Sequence, residues 1–136
     1  MSSVVLDASA LLAFLNAEPG AAVIEAAIAS DGAVISVVNW AEVLSKVVEA
    51  GAAPEAVRER LERAGVLGAA FRIEPLTEED AATIARLRPL TRAAGLGLGD
   101  RACLALAKRL GAPAVTVDRV WASVSAAVGV DVRVAR

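Results

Sequence analysis

The chain has 136 residues, 57% of them apolar, with two Trp, two Phe, no Tyr and no His, and a formal net charge of −2 from 14 basic and 16 acidic residues. That length suits one ordinary domain with a full core, and Cys103, the only cysteine, excludes an intramolecular disulfide, which fits a reducing cytoplasm. Charge interrupts every long apolar run, so no membrane span is expected; the N-terminus lacks the basic region of a secretory leader; and without imidazole the chain is poorly suited to acyl transfer or to zinc.

Val4-Val5-Leu6 is an unbroken apolar run ending at Asp7, which reads as a buried strand feeding a helix through Ala10 to Leu15 with Ser9 as its cap. Glu18-Pro19-Gly20 punctuates, and a second helix runs through Val23, Ile24, Ala27 and Ile28 to the turn at Asp31-Gly32. The pattern repeats with a strand from Ala33 to Val37 and a helix from about Asn39 to Glu49 that stops at Gly51. On that helix Trp40, Val43, Leu44 and Val47 define a buried stripe with Glu42 nearly opposite. Val38, Ala41 and Val48 make the opposite side apolar too, so the helix is expected to be covered twice or to border a cleft. Pro54 starts a helix with a charged face at Arg58, Glu59, Arg60, Glu62 and Arg63. Phe71 to Pro75 alternates and belongs nearer a sheet edge. Thr77 with Glu78-Glu79-Asp80 is a capping-box signature, and the helix it opens is expected to pass Pro89 with a kink or break. Gly95 to Gly99 reads as a flexible loop before Asp100, which opens a helix with apolar spacing at Cys103, Leu106, Ala107 and Leu110. Ala114 to Val117 is a fourth buried strand ending at Asp118, and a short helix and a final strand, Asp131 to Val134, complete the chain.

Strands alternating with helices predict an α/β fold, residues 1–136 forming one domain with a mainly parallel central sheet covered by helices on both faces. In such sheets ligands collect beyond the carboxyl ends of the strands, at a topological switch point. Asp7 and Asp118 stand at two such ends, and Asp100, three residues before Cys103, lies on an inward-facing stripe, so the three are expected to converge. Each acid also has an ordinary role: Asp7 and Asp118 as turn residues, Asp100 as a helix cap, Glu42 as a solvated helix residue. Gathered together they demand a counterion, since two unit charges 4 Å apart repel by about 4 kcal/mol at an effective dielectric of 20. A hard divalent cation is the natural one, and one or two such ions can orient a water and steady the leaving oxygen of a phosphodiester. Setting these four acids aside leaves 12 acidic against 14 basic residues, a balance that permits an anionic substrate.

Four segments in order, VVLDASALLAFL, NWAEV, GLGDRACLALA and VTVDRVW, resemble the four acidic motifs of the PIN domain, most closely those of the VapC-type ribonuclease toxins of toxin-antitoxin pairs. The resemblance covers nearly the whole chain and implies a PIN-like three-layer sandwich. It implies further that Asp7, Glu42, Asp100 and Asp118 bind Mg²⁺ or Mn²⁺ and activate water for endonucleolytic RNA cleavage, with no acidic position lost. Glu42 enters the set through its motif rather than its periodicity. Ser9 and Thr116 match small hydroxyl residues that support such a site. Asn39 is a further supporting candidate, with a helix cap as its preferred role. A homodimer sharing one groove and a cognate antitoxin protein are implied as partners. Arg101 and Arg119 are candidates for phosphate contact or for surface pairing, and Trp40 and Trp121 for core or dimer contacts rather than base stacking. The competing function is a protein-binding domain whose acidic pocket mainly accepts a basic residue from a partner, with little catalysis. An aspartyl-phosphate phosphatase would need a second Asp where Ser9 stands, and a dinucleotide site lacks its glycines because Asp7-Ala8-Ser9 fills the first turn.

Overall fold

Successive side chains of a strand point to opposite faces, and in the first strand Val4, Val5 and Leu6 are all buried, so that strand must be covered on both sides. The computed structural model, which describes residues 3–66 and 70–136, has this arrangement. Strands β1 (Val4–Leu6), β2 (Ala33–Ser36), β3 (Phe71–Glu74), β4 (Ala114–Thr116) and β5 (Val132–Val134) form one all-parallel sheet in the order β3-β2-β1-β4-β5. Val4, Leu6, Ala33, Ile35 and Val115 pack into one core with helices α1 (Ala8–Leu15), α2 (Ala21–Asp31), α3 (Val37–Glu49) and α4 (Glu55–Arg63). Val5, Val34 and Ala114 point the other way, into a core with α5 (Glu78–Thr91), α6 (Leu98–Leu110), a 3-10 helix (Arg119–Val124) and α7 (Ser125–Val128). The result is the expected three-layer PIN-like sandwich with a parallel central sheet, and β3 occupies the edge its alternation predicted.

The strand order places the switch point between β1 and β4: successive crossovers move outward through β2 to β3, and the chain then returns to the other side of β1. Asp7 leaves β1 at this point, and its backbone N–H still reaches the Val115 carbonyl at 3.1 Å.

Several boundaries differ from the sequence expectation, each for a local reason. Asp7 rather than Ser9 caps α1, its carboxylate accepting the Ala10 N–H at 2.8 Å. Ser36 caps α3 by accepting the Asn39 N–H at 3.0 Å, so the helix starts at Val37 and Asn39 sits inside its first turn instead of capping it. α5 continues through Pro89 and ends two residues later at Thr91, so the ladder bond that Pro89 cannot make falls in the helix's last turn. The predicted box at its start is present: Asp80 accepts the Thr77 N–H at 2.9 Å and also binds Arg109 Nε at 3.1 Å, tying α5 to the far end of α6.

Trp121 is fully buried in the second core, and Trp40 is nearly so, with its ring centroid 6.2 Å from that of Phe71. Cys103 is a buried free thiol. Arg101 corrects its surface assignment: it is buried, donates Nη1–H to the Ile84 carbonyl at 3.0 Å, and among the described residues has no carboxylate within ion-pair distance. Among the described residues no helix is long and apolar enough to cross a membrane.

Candidate active site

Asp7 is held by hydroxyls on two different elements. Ser9 Oγ donates to its carboxylate oxygens at 2.8 and 2.9 Å, and Thr116 Oγ1, at the end of β4, donates to Oδ2 at 2.6 Å. Only 3% of Asp7 is exposed. Burial therefore pushes its pKa from 3.8 up to about 6, against the hydrogen bonds from Thr116, Ala10 and Ser9, and the charge of Asp100 adds to the rise. Thr116 Oγ1 also accepts the Asp118 N–H at 3.0 Å, so one buried hydroxyl positions both strand-end acids. Asp118 is exposed, and its Oδ1 accepts the Val120 N–H at 3.1 Å at the start of the 3-10 helix.

Asp100 lies one turn inside α6, whose cap is Gly97 rather than Asp100 itself. Its Oδ2 accepts the Gly97 N–H at 3.0 Å, which starts the helix inside the expected loop. Burial raises its pKa, and the Asp118 charge adds to that rise, while the Gly97 N–H and Arg101 oppose it.

Glu42 projects from the exposed side of α3, where Asn39 orients it. Asn39 Nδ2 donates to Glu42 Oε1 at 2.8 Å and to the Gly99 carbonyl at 2.8 Å, while Ser36 Oγ donates to Asn39 Oδ1 at 2.6 Å. The amide thus links α3 to the first turn of α6. Gly99 lies within the GLGDRACLALA segment but is not among the candidate site residues. A Cβ built on it would lie 2.5 Å from both carboxylate oxygens of Glu42, so the acid occupies the space a side chain would fill. The available signal was a glycine directly before a candidate acid in a helix, where it costs about 1 kcal/mol relative to Ala and calls for a packing reason.

Asp7, Glu42, Asp100 and Asp118 all line one cavity of about 230 Å³, together with Ala8, Ser9, Leu12 and Lys46. Their mutual field reaches the Cys103 thiol beneath, which burial and the charges of Asp7, Asp100 and Glu42 push well above its ordinary pKa. Among the described residues, no three acids are set close enough to grip one ion as they stand. The donor chemistry nevertheless fits a hard divalent cation: four carboxylates, no imidazole, and a crowd of like charge that needs neutralising.

The PIN domain profile matches residues 4–127. A comparison with curated protein sequences gives no match. Several solved structures match over nearly the whole chain, three of them as follows. A toxin-antitoxin complex from Klebsiella pneumoniae matches at a TM-score of 0.67 and 19% identity over 98% of each chain. VapBC2 from Rickettsia felis, bound to a DNA fragment from the promoter, matches at 0.71 and 16% over 96% of each chain. FitAcB from Neisseria gonorrhoeae matches at 0.66 and 21% over 97% of each chain. At these identities the likeness is one of fold.

Proposed function

Because the chain belongs to the PIN domain family, we propose that it is a divalent-metal-dependent endoribonuclease, the toxin of a toxin-antitoxin pair, with Asp7, Glu42, Asp100 and Asp118 as its metal-holding and catalytic residues. The observation that carries this reading is the convergence of all four carboxylates on one cavity beside the β1/β4 switch point. Bound Mg²⁺ or Mn²⁺ would supply the Lewis acid that lowers the pKa of a water and offsets charge at the phosphodiester.

The chain's own residues divide the remaining work. Asp7 is the fixed member, locked by Ser9, Thr116 and the Ala10 N–H. Glu42 and Asp118 are the exposed members, each steered by one hydrogen bond, from Asn39 and from the Val120 N–H. Ser9, Thr116 and Asn39 are positioning residues: they touch the acids and set where those acids point. In this reading residues 1–136 act as one cytoplasmic domain, paired as a homodimer and silenced by a cognate antitoxin. The likeness to a toxin-antitoxin complex, to VapBC2 and to FitAcB supports the antitoxin partner.

The purified protein, freed of any partner, is expected to cleave structured RNA with Mn²⁺ or Mg²⁺ and to stop when a chelator is added. The Asp7→Asn, Asp100→Asn double variant is expected to be inactive; unchanged cleavage by it would sink the metal assignment. Partner capture with no cleavage under any metal would favour the binding-only alternative. Size-exclusion chromatography should return a dimer for the protein alone and a larger assembly after co-expression with its neighbouring gene product. A monomer that ignores that product would count against both partners.

A further inference from the structure

The carboxylate cavity has a neighbour of opposite character. An open groove of about 600 Å³ is lined by Ser9, Val117, Asp118, Arg119 and Arg136, and it shares Ser9 and Asp118 with the acidic cavity. Two guanidinium groups therefore flank the same wall that carries two of the site's side chains. Their placement is built into the fold. Arg119 directly follows Asp118 at the start of the 3-10 helix. Arg136 follows Ala135, whose N–H is fixed on the Thr116 carbonyl at 2.9 Å, the residue whose hydroxyl holds Asp7 and Asp118. From the other side Gly20, at φ +99°, presses so closely that a Cβ there would stand 3.0 Å from the Ala135 carbonyl oxygen. Both arginines are exposed, and among the described residues neither makes an ion pair. Arg101, the other arginine next to a site acid, is turned inward onto Ile84 instead.

We propose that Arg119 and Arg136 form a phosphate-binding groove that seats the RNA backbone beside the carboxylate cavity; this rests on the nuclease reading above. Four carboxylates repel a polyanion, so a strand reaching them needs attraction from the adjoining surface. A pair of exposed guanidinium forks supplies it with bidentate geometry. Such contacts set the strand's position and carry no base preference. The two arginines thus account for holding the strand while the acids account for cutting it.

The test is fluorescence anisotropy of a short labelled single-stranded RNA in chelator, read across salt concentrations, alongside cleavage in Mn²⁺. The Arg119→Ala, Arg136→Ala double variant is expected to bind about tenfold more weakly. The slope of log affinity against log salt should fall by about 1.4, about 0.7 for each phosphate no longer neutralised. An Arg86→Ala, Arg88→Ala variant, with the same loss of charge on exposed positions of α5, should keep the wild-type slope. Replacement of both groove arginines by Lys should restore the slope and only part of the cleavage, since the charge returns and the fork does not. If wild-type protein cleaves RNA and the double Ala variant binds with the wild-type affinity and slope, the groove is wrong and the nuclease reading stands. If wild-type protein neither binds nor cleaves RNA, the nuclease reading falls and the groove with it.

Discussion

Asp7→Asn will melt at a higher temperature than the wild-type protein at neutral pH in the absence of divalent metal, and will cleave no RNA. The carboxyl is nearly fully buried, and its folded-state pKa of about 6 lies above its ordinary value of 3.8, so the fold favours the protonated form. A group shifted in this direction contributes its full stabilisation below the unfolded pKa and loses it as pH rises through the folded one. At neutral pH wild-type protein therefore carries an ionised group that its surroundings disfavour by about 3 kcal/mol at most. Asparagine is neutral at every pH and removes that penalty while its amide oxygen can still accept the Ala10 N–H. For a chain of this size about 1 kcal/mol corresponds to about 3 °C, so a gain of several degrees is expected. The gap should close toward pH 4 and open through pH 6 in melting curves followed by circular dichroism. Added Mg²⁺ or Mn²⁺ should raise the wild-type melting temperature by mass action and leave the variant nearly unmoved. A variant that melts below wild type at neutral pH, or a gap that does not change with pH, would remove burial of charge as the organising feature of this site.

That same burial explains which parts of the molecule could be read from the sequence. Val4-Val5-Leu6 and Ala114-Val115 are apolar on both faces because each strand serves two cores, a continuous pattern that sequence records directly. The acids that follow them needed only the rule for strand ends in parallel sheets. Caps were harder, since Asp, Ser and Asn all cap well and local propensity does not separate Asp7 from Ser9, or Ser36 from Asn39. Contacts from distant chain settle the choice: Thr116 on Asp7, and the Gly99 carbonyl on Asn39. Glu42 is the clearest case. Helical periodicity assigns it to the solvent side of α3, where it does lie, and it faces a cavity only because α6 is laid across that side. Its motif carried it into the candidate set, while Gly99, the residue that makes room for it, passed as one more glycine of a loop.

Gly99→Ala should therefore lose cleavage while losing no stability. A methyl group at this position would fall 2.5 Å from both oxygens of the Glu42 carboxylate, far inside contact distance. The atoms it strikes are the end of a flexible side chain on an exposed helix face, so the carboxylate swings aside and the backbone need not move. Gly99 lies within α6 and has no positive φ that an alanine would strain; replacing a helix glycine by alanine gains about 0.5–1 kcal/mol where nothing else changes. If Glu42 holds metal as proposed, displacing it by an ångström or more costs about a hundredfold in rate. The expected result is a melting temperature equal to or slightly above wild type, with cleavage down about a hundredfold. A double-mutant cycle isolates the route: if Gly99 acts only by leaving space for Glu42, the Gly99→Ala, Glu42→Ala double variant will be no slower than Glu42→Ala alone. Additive losses would mean that the methyl group disturbs Asp100 or the Asn39 bridge as well. Full activity in Gly99→Ala would show that the observed position of Glu42 is not the one the reaction uses.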